Sequence, residues 1–140
     1  MASLTLEVVT PERTVFRETV EHVVLPTVSS GEIDILPGHI PLMTIIEPGA
    51  LRFFKDGEPD SIAIDKGFIR VYADTVSVLT EAAIEVEKID ASQADEARRR
   101  AEEALAQATE EGADPAILEE LETKARFAVL QKIIADNKRM

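Results

Sequence analysis

Leu4, Leu6 and Val8 alternate with Thr5, Glu7 and Val9, and this period of two predicts a strand with one face turned to a core. Short apolar runs follow at 19–28, 33–36, 42–46, 51–54, 62–64, 68–72, 76–80 and 84–86. Between them lie Ser29-Ser30-Gly31, Pro37-Gly38, Pro48-Gly49 and Asp56-Gly57, residues that adopt turn backbones readily. Runs this short and this often interrupted predict eight or nine strands of an all-β sandwich or barrel. The tight connections predict antiparallel pairing throughout, because a parallel crossover needs a dozen or more residues.

The pattern changes near residue 88. Residues 1–88 hold 28 Val, Ile and Thr against 6 Ala, whereas residues 89–140 hold 7 against 12, so β-favouring residues give way to helix formers. The expected organisation is an antiparallel β-sandwich domain over 1–88 followed by a two-helix antiparallel hairpin over 89–140. Asp90 with Gln93 three residues later makes a capping-box start, and Gly112 supplies a left-handed stop. Asp114 then caps a second helix whose first position is Pro115, where the missing amide proton costs nothing. Ala94, Ala97, Ala101, Ala104 and Ala108 form a narrow methyl stripe that predicts close approach of two backbones. Leu118, Leu121, Ala125 and Ala128 form the matching seam. Phe127, Leu130, Ile133 and Ile134 fall on the opposite side of the second helix, and this surplus apolar stripe needs a partner of its own.

Charge narrows the function classes. The 27 Asp and Glu against 15 Lys and Arg give a net charge of -12, which repels nucleic-acid backbones and anionic lipid surfaces. Both parts are acidic. The absence of cysteine removes disulfides, zinc-thiolate sites and thiol nucleophiles, and fits a reducing compartment. No run reaches the ~20 apolar residues of a membrane helix, and the first ten residues lack the features of a signal peptide. A soluble, cytosolic chain without membrane insertion is expected.

One cluster resembles a site: Gly31-Glu32-Ile33-Asp34 with His39 five residues past the Asp. Strand alternation would put Glu32 and Asp34 on one face, where two carboxylates and an imidazole could hold a metal or exchange protons. A solvated acidic edge accounts for them as well, and a structural or interface role is favoured over a metal or catalytic one. Arg98-Arg99-Arg100 could grip phosphate, but with Glu102 and Glu103 at helical spacing it reads first as an ion-paired face. There is no nucleophile elbow and no glycine-rich phosphate loop, so an assembly component is favoured over an enzyme.

The segments Gly31-Glu32-Ile33-Asp34-Ile35-Leu36-Pro37-Gly38-His39-Ile40-Pro41-Leu42, Pro48-Gly49-Ala50-Leu51, Gly67-Phe68-Ile69-Arg70-Val71 and Val76-Ser77-Val78-Leu79 resemble the epsilon subunit of rotary proton-translocating ATP synthases. The resemblance spans nearly the whole chain. It implies a sandwich of about ten strands and a helical hairpin in a non-catalytic central-stalk subunit, peripheral on the cytoplasmic face of the cell membrane. The implied partners are the gamma subunit, the ring of c subunits and, when the hairpin extends and inhibits hydrolysis, the alpha and beta subunits. Glu32 matches the family's polar turn facing the ring, and His39 with Pro41 lies in the motif near gamma. Asp34 stands where the pattern usually has glycine. Lys124, Arg126, Phe127, Leu130 and Ile134, with Lys132, Lys138 and Arg139, are the expected regulatory contacts of the second helix. Some bacterial members bind ATP through an Ile/Leu-Asp-x-x-Arg-Ala motif and further arginines. Ile89, Asp90, Ala94, Arg100 and Arg126 match such positions, but Gln93 replaces the motif arginine, so no cofactor is expected and ATP is at most a weak regulatory ligand. The alternative is a free-standing sandwich module that binds a small ligand or ATP under a helical lid.

Overall fold

The computed structural model describes residues 2–138, apart from the side chains of residues 91 and 136–138. Lys138 and Arg139 therefore fall outside the described side chains. The chain forms two compact units, Met1–Glu87 and Lys88–Met140.

The first unit contains β1 (Leu4–Val9), β2 (Thr14–Val20), β3 (His22–Thr27), β4 (Gly31–Ile35), β5 (Leu42–Ile46), β6 (Gly49–Lys55), β7 (Glu58–Ile64), β8 (Gly67–Tyr72), β9 (Thr75–Thr80) and β10 (Ala83–Glu85). Their hydrogen-bonded path runs β10-β7-β6-β3-β5-β8-β9-β1-β2, with β4 added on β3. It folds over where Thr27 of β3 pairs with Ile46 of β5. One layer is thus β5-β8-β9-β1-β2 and the other β10-β7-β6-β3-β4. Inward residues of both layers, among them Leu6, Val8, Val23, Leu25, Leu51, Ile62, Ile69 and Val78, are wholly buried in a single core. Each such side chain contributes roughly 1.5–3 kcal/mol by leaving water. Phe16 of β2 meets Phe53 of β6 across the core, with ring centroids 4.8 Å apart.

Two strand expectations need correction. The run 19–28 is not one strand: it breaks at Glu21, whose amide donates to the Phe54 carbonyl at 2.8 Å. Before the break β2 pairs with β1, and after it β3 pairs with β4 and β6. Charged residues at 17 and 18 hide β2 in the sequence. Nor is pairing antiparallel throughout, because β1 lies parallel to β9 from Thr5–Thr75 to Val9–Leu79. The tight-turn argument holds only for neighbouring strands; here most of the sandwich is the crossover.

Gly67 is fixed by crowding. A Cβ there would stand 2.0 Å from the Leu79 carbonyl oxygen and 2.8 Å from Thr80 Cα, both backbone atoms that cannot swing aside. Gly31 has φ +67 with open space around it.

In the second unit, a 3₁₀ turn (Val86–Lys88) leads into α1 (Ala91–Glu110), which is followed by α2 (Pro115–Lys138). The Asp90 carboxylate accepts from the Ser92 and Gln93 amides at 2.9 and 3.1 Å, and Gly112 takes φ +69 past the end of α1. Asp114 caps α2 by accepting from the Ala116 amide at 2.9 Å. The seam on α1 is rotated from the expected stripe. Ala94 is buried and Arg98, Ala101, Leu105 and Ala108 are half-buried, while Ala97 and Ala104 are exposed. Both stripes share positions 94, 101 and 108, and the helix turns the larger Leu105 inward in place of Ala104. On α2, Leu118, Leu121, Ala125 and Ala128 are covered as expected.

An ion-pair ladder covers α1. Arg98 bonds Asp95 at 3.0 Å and Glu102 at 2.8 Å, Arg99 bonds Glu103 at 3.1 Å, and Arg100 bonds Glu96 at 2.9 Å. Lys132 of α2 reaches Asp95 at 3.0 Å and ties the helices together near the open end of the hairpin. The Lys132 and then the Arg98 hydrogen bonds lower the Asp95 pKa, and Arg100 lowers that of Glu96.

Two predictions follow from this architecture. Gly67→Ala should cost about 4 kcal/mol or more, against about 1 kcal/mol for Gly31→Ala at an open left-handed position; equal shifts in urea denaturation would refute the crowding argument. Because the folded pKa values of Asp95 and Glu96 lie below the ordinary 3.8 and 4.5, their stabilisation is complete above those values and is lost as pH falls through the lower folded ones. The helical melting temperature of the full chain should therefore depend less on acid in an Asp95→Asn, Glu96→Gln double variant. Identical acid profiles by circular dichroism would contradict this.

Candidate interaction surfaces

Strand alternation gives β5, β8 and β9 apolar residues on both faces. Inward, Ile46, Ile69, Val71, Val76 and Val78 fill the core. Outward, the register aligns Ile45, Phe68, Leu79 and Val9 in one row across four strands. The next row is Met43, Arg70, Ser77, Glu7 and Arg17, and a third carries Tyr72, Thr75, Thr5 and Thr19. Met43 is 66% exposed, Ile45 61% and Tyr72 60%, and Phe68 and Leu79 are also open. Exposed apolar area this continuous marks an interaction surface. At one end of it the turn after β3 exposes Val28. At the other, loop 36–41 presents Leu36 and Ile40, the latter 75% exposed. That loop is held to the β8–β9 turn, because the Gly38 amide donates to the Asp74 carboxylate at 2.7 Å.

Glu32 and Asp34 share the exposed face of β4, as alternation predicts, but His39 is not brought to them. Glu32 lies in β4 and pairs with Arg52 of β6 at 2.6 Å. Asp34 accepts from His22 Nδ1 at 2.8 Å, and the His22 ring stacks on Phe54 at 4.1 Å between centroids. His39 stands beyond the far end of β4, its Nδ1 donating to the Ile40 carbonyl at 2.6 Å, with Pro41 exposed beside it. Among the described residues, no group of three His, Asp or Glu could hold a metal ion. Asp34 sits in regular extended backbone paired with Val24, so the position where glycine is usual needs no left-handed turn here. Glu32 likewise belongs to the strand, one residue past the turn.

The candidate nucleotide residues all lie in the hairpin unit. The Asp90 carboxylate is engaged as helix cap, Ala94 is buried in the seam, and Arg100 is committed to Glu96. Arg100 stands ten residues along from Asp90, about 15 Å up the helix. Ile89 is half-buried and Arg126 is exposed on α2. On the same helix Lys124 pairs with Glu120 at 3.6 Å, Phe127, Leu130 and Ile134 are half-buried, and Ile133 is 53% exposed. Sequence reasoning assigns no role to Met43, Ile45, Phe68, Tyr72 and Leu79, which fall inside the strand runs 42–46, 68–72 and 76–80. The available signal was that Met43 and Ile45 fall between Leu42, Thr44 and Ile46, so an unbroken apolar run served two faces.

Residues 3–86 match the family described as ATP synthase, Delta/Epsilon chain, beta-sandwich domain. The ATP synthase epsilon chain of Dehalococcoides mccartyi strain BAV1 is 39% identical over 139 residues, covering 99% of this chain and 96% of the relative. That of Pelotomaculum thermopropionicum is 43% identical over 104 residues, covering 74% and 77%. A similar fold occurs in the solved Euglena gracilis mitochondrial ATP synthase, OSCP/F1/c-ring, with TM-score 0.64 and 23% identity over 95% of this chain and 81% of the other. With a family match over most of the chain and a relative aligned along nearly all of it, this protein belongs to the ATP synthase epsilon-chain family, whose members are subunits of the enzyme and not its catalytic subunit.

Proposed function

We propose that this chain is the rotor subunit that joins the gamma subunit to the ring of c subunits, on the cytoplasmic face of the membrane, and couples ring rotation to the catalytic head. The observation that carries this reading is the open apolar face of β5, β8 and β9 on a chain of net charge -12. A rotor link transmits torque, so it needs a broad, rigid contact, and a sheet face built on a filled core supplies one. The gamma subunit covers this face, with His39 and Pro41 extending the contact at the loop end. Glu32, close to the turn at the other end, faces the polar loops of the ring.

The hairpin regulates hydrolysis. Its caps and seam close within Lys88–Met140, so that unit can move as a body while the sandwich stays bound. When extended along gamma it presents Lys124, Arg126 and the Phe127, Leu130 and Ile134 stripe to the alpha and beta subunits. ATP is not a tight ligand, since Gln93 leaves one phosphate-binding charge absent and Arg100 is neutralised by Glu96.

Truncation after Lys88 should leave assembly and proton-driven synthesis largely intact in membrane vesicles while changing the rate of ATP hydrolysis; loss of assembly would show that the helices are structural. By calorimetry the intact chain should bind ATP weakly or not at all, and Gln93→Arg with Glu96→Gln should bind at least ten-fold more tightly. Tight binding by the unaltered chain would overturn the nucleotide reading.

A further inference from the structure

Arg70 occupies the centre of the exposed face. On its own strand it is flanked by the outward residues Phe68 and Tyr72, and across the strands it is registered with Met43 and Ser77. Elsewhere on the sandwich Arg17 is paired with Glu7, Arg52 with Glu32 and Lys55 with Glu18. Among the described residues Arg70 has no ion-pair partner. The nearest acid along its row is Glu7, two strands away, and that carboxylate already accepts from the Ser77 hydroxyl at 2.9 Å and meets Arg17 at 3.5 Å. In a chain with 27 acids and 15 bases, the outward rows of this face carry two arginines and one glutamate.

A guanidinium without a carboxylate is well solvated while the face is open to water. Once a partner covers the face, it is surrounded by Met43, Phe68 and Tyr72 and loses that solvation, and an unpaired buried charge is strongly unfavourable. Its five donors in a planar fork suit two carboxylate oxygens. Resting on the reading that gamma docks here, we infer that the docking surface presents an aspartate or glutamate carboxylate to Arg70. This pair would act as a specificity determinant at the centre of an apolar contact. It would also let an acidic gamma surface approach an acidic chain at a face whose outward rows carry two arginines against one glutamate.

The test measures the affinity of the full-length chain for a purified complex of the alpha, beta and gamma subunits from the same organism. Variants are Arg70→Met, Arg70→Lys, Arg70→Glu and Phe68→Ala, each checked for an unchanged melting temperature. Arg70→Met keeps an apolar stem of similar length and should bind on the order of 30-fold more weakly or worse. Arg70→Glu should be weaker again by ten-fold or more, and Arg70→Lys should fall between Met and the parent. If Phe68→Ala weakens binding while Arg70→Met binds as well as the parent, the carboxylate inference is wrong and the docking face stands. If Phe68→Ala and all three Arg70 variants bind like the parent, the docking reading itself fails.

Discussion

A β-strand that is apolar on both faces cannot be satisfied by one core. In the β5-β8-β9-β1-β2 layer the inward residues are used in packing against the second layer, which leaves the outward row Ile45, Phe68, Leu79 and Val9 outside the sandwich core. Period-two geometry forbids a local escape, because sliding a strand by one residue would exchange the two faces and empty the core. The crowding at Gly67 against Leu79 and Thr80 opposes such a slip between β8 and β9. The external apolar row is thus held in place by the same register that builds the interior, and association with another surface is the remaining way to remove it from water.

The helical unit is held differently. Its seam mixes five alanines, which bury little area each, with Leu105, Leu118 and Leu121, and solvent-facing ion pairs run along α1. Pairs of that kind are individually weak and respond to salt and acid. A register locked by core packing suits a permanent mechanical link, whereas a narrow seam rich in alanine beside exposed charges suits an element that changes partners. This contrast supports the proposal that the first unit couples and the second regulates.

Much of this was legible in the residues. The turn residues at 29–31, 37–38, 48–49 and 56–57 marked four of the nine strand boundaries, and Asp90, Gly112, Asp114 and Pro115 marked the helix ends because capping is a local interaction. What escaped was non-local. No short-range signal reveals that β1 lies parallel to β9, since that pairing depends on how the whole sandwich closes. Arg98 and Leu105 replaced Ala97 and Ala104 on the inner side of α1 because heptad-related alanines left two nearly equivalent faces. Glu32 and Asp34 share the outer face of β4 as alternation predicts, where they meet Arg52 and His22, but the Pro37–Gly38 turn carries His39 away from them. The apolar face itself was hidden because an exposed Phe68 and a buried Ile69 look alike in a hydrophobic run.

Hydroxyl-radical footprinting of the free chain and of the assembled ATP synthase addresses the central claim most directly. Met43 and Tyr72 lie on the open face and carry side chains that oxidise readily. The account predicts strong modification of both in the free chain and strong protection of both in the complex. Equal modification of Met43 and Tyr72 in the two states would show that this face is open to water in the working enzyme, and would contradict the account.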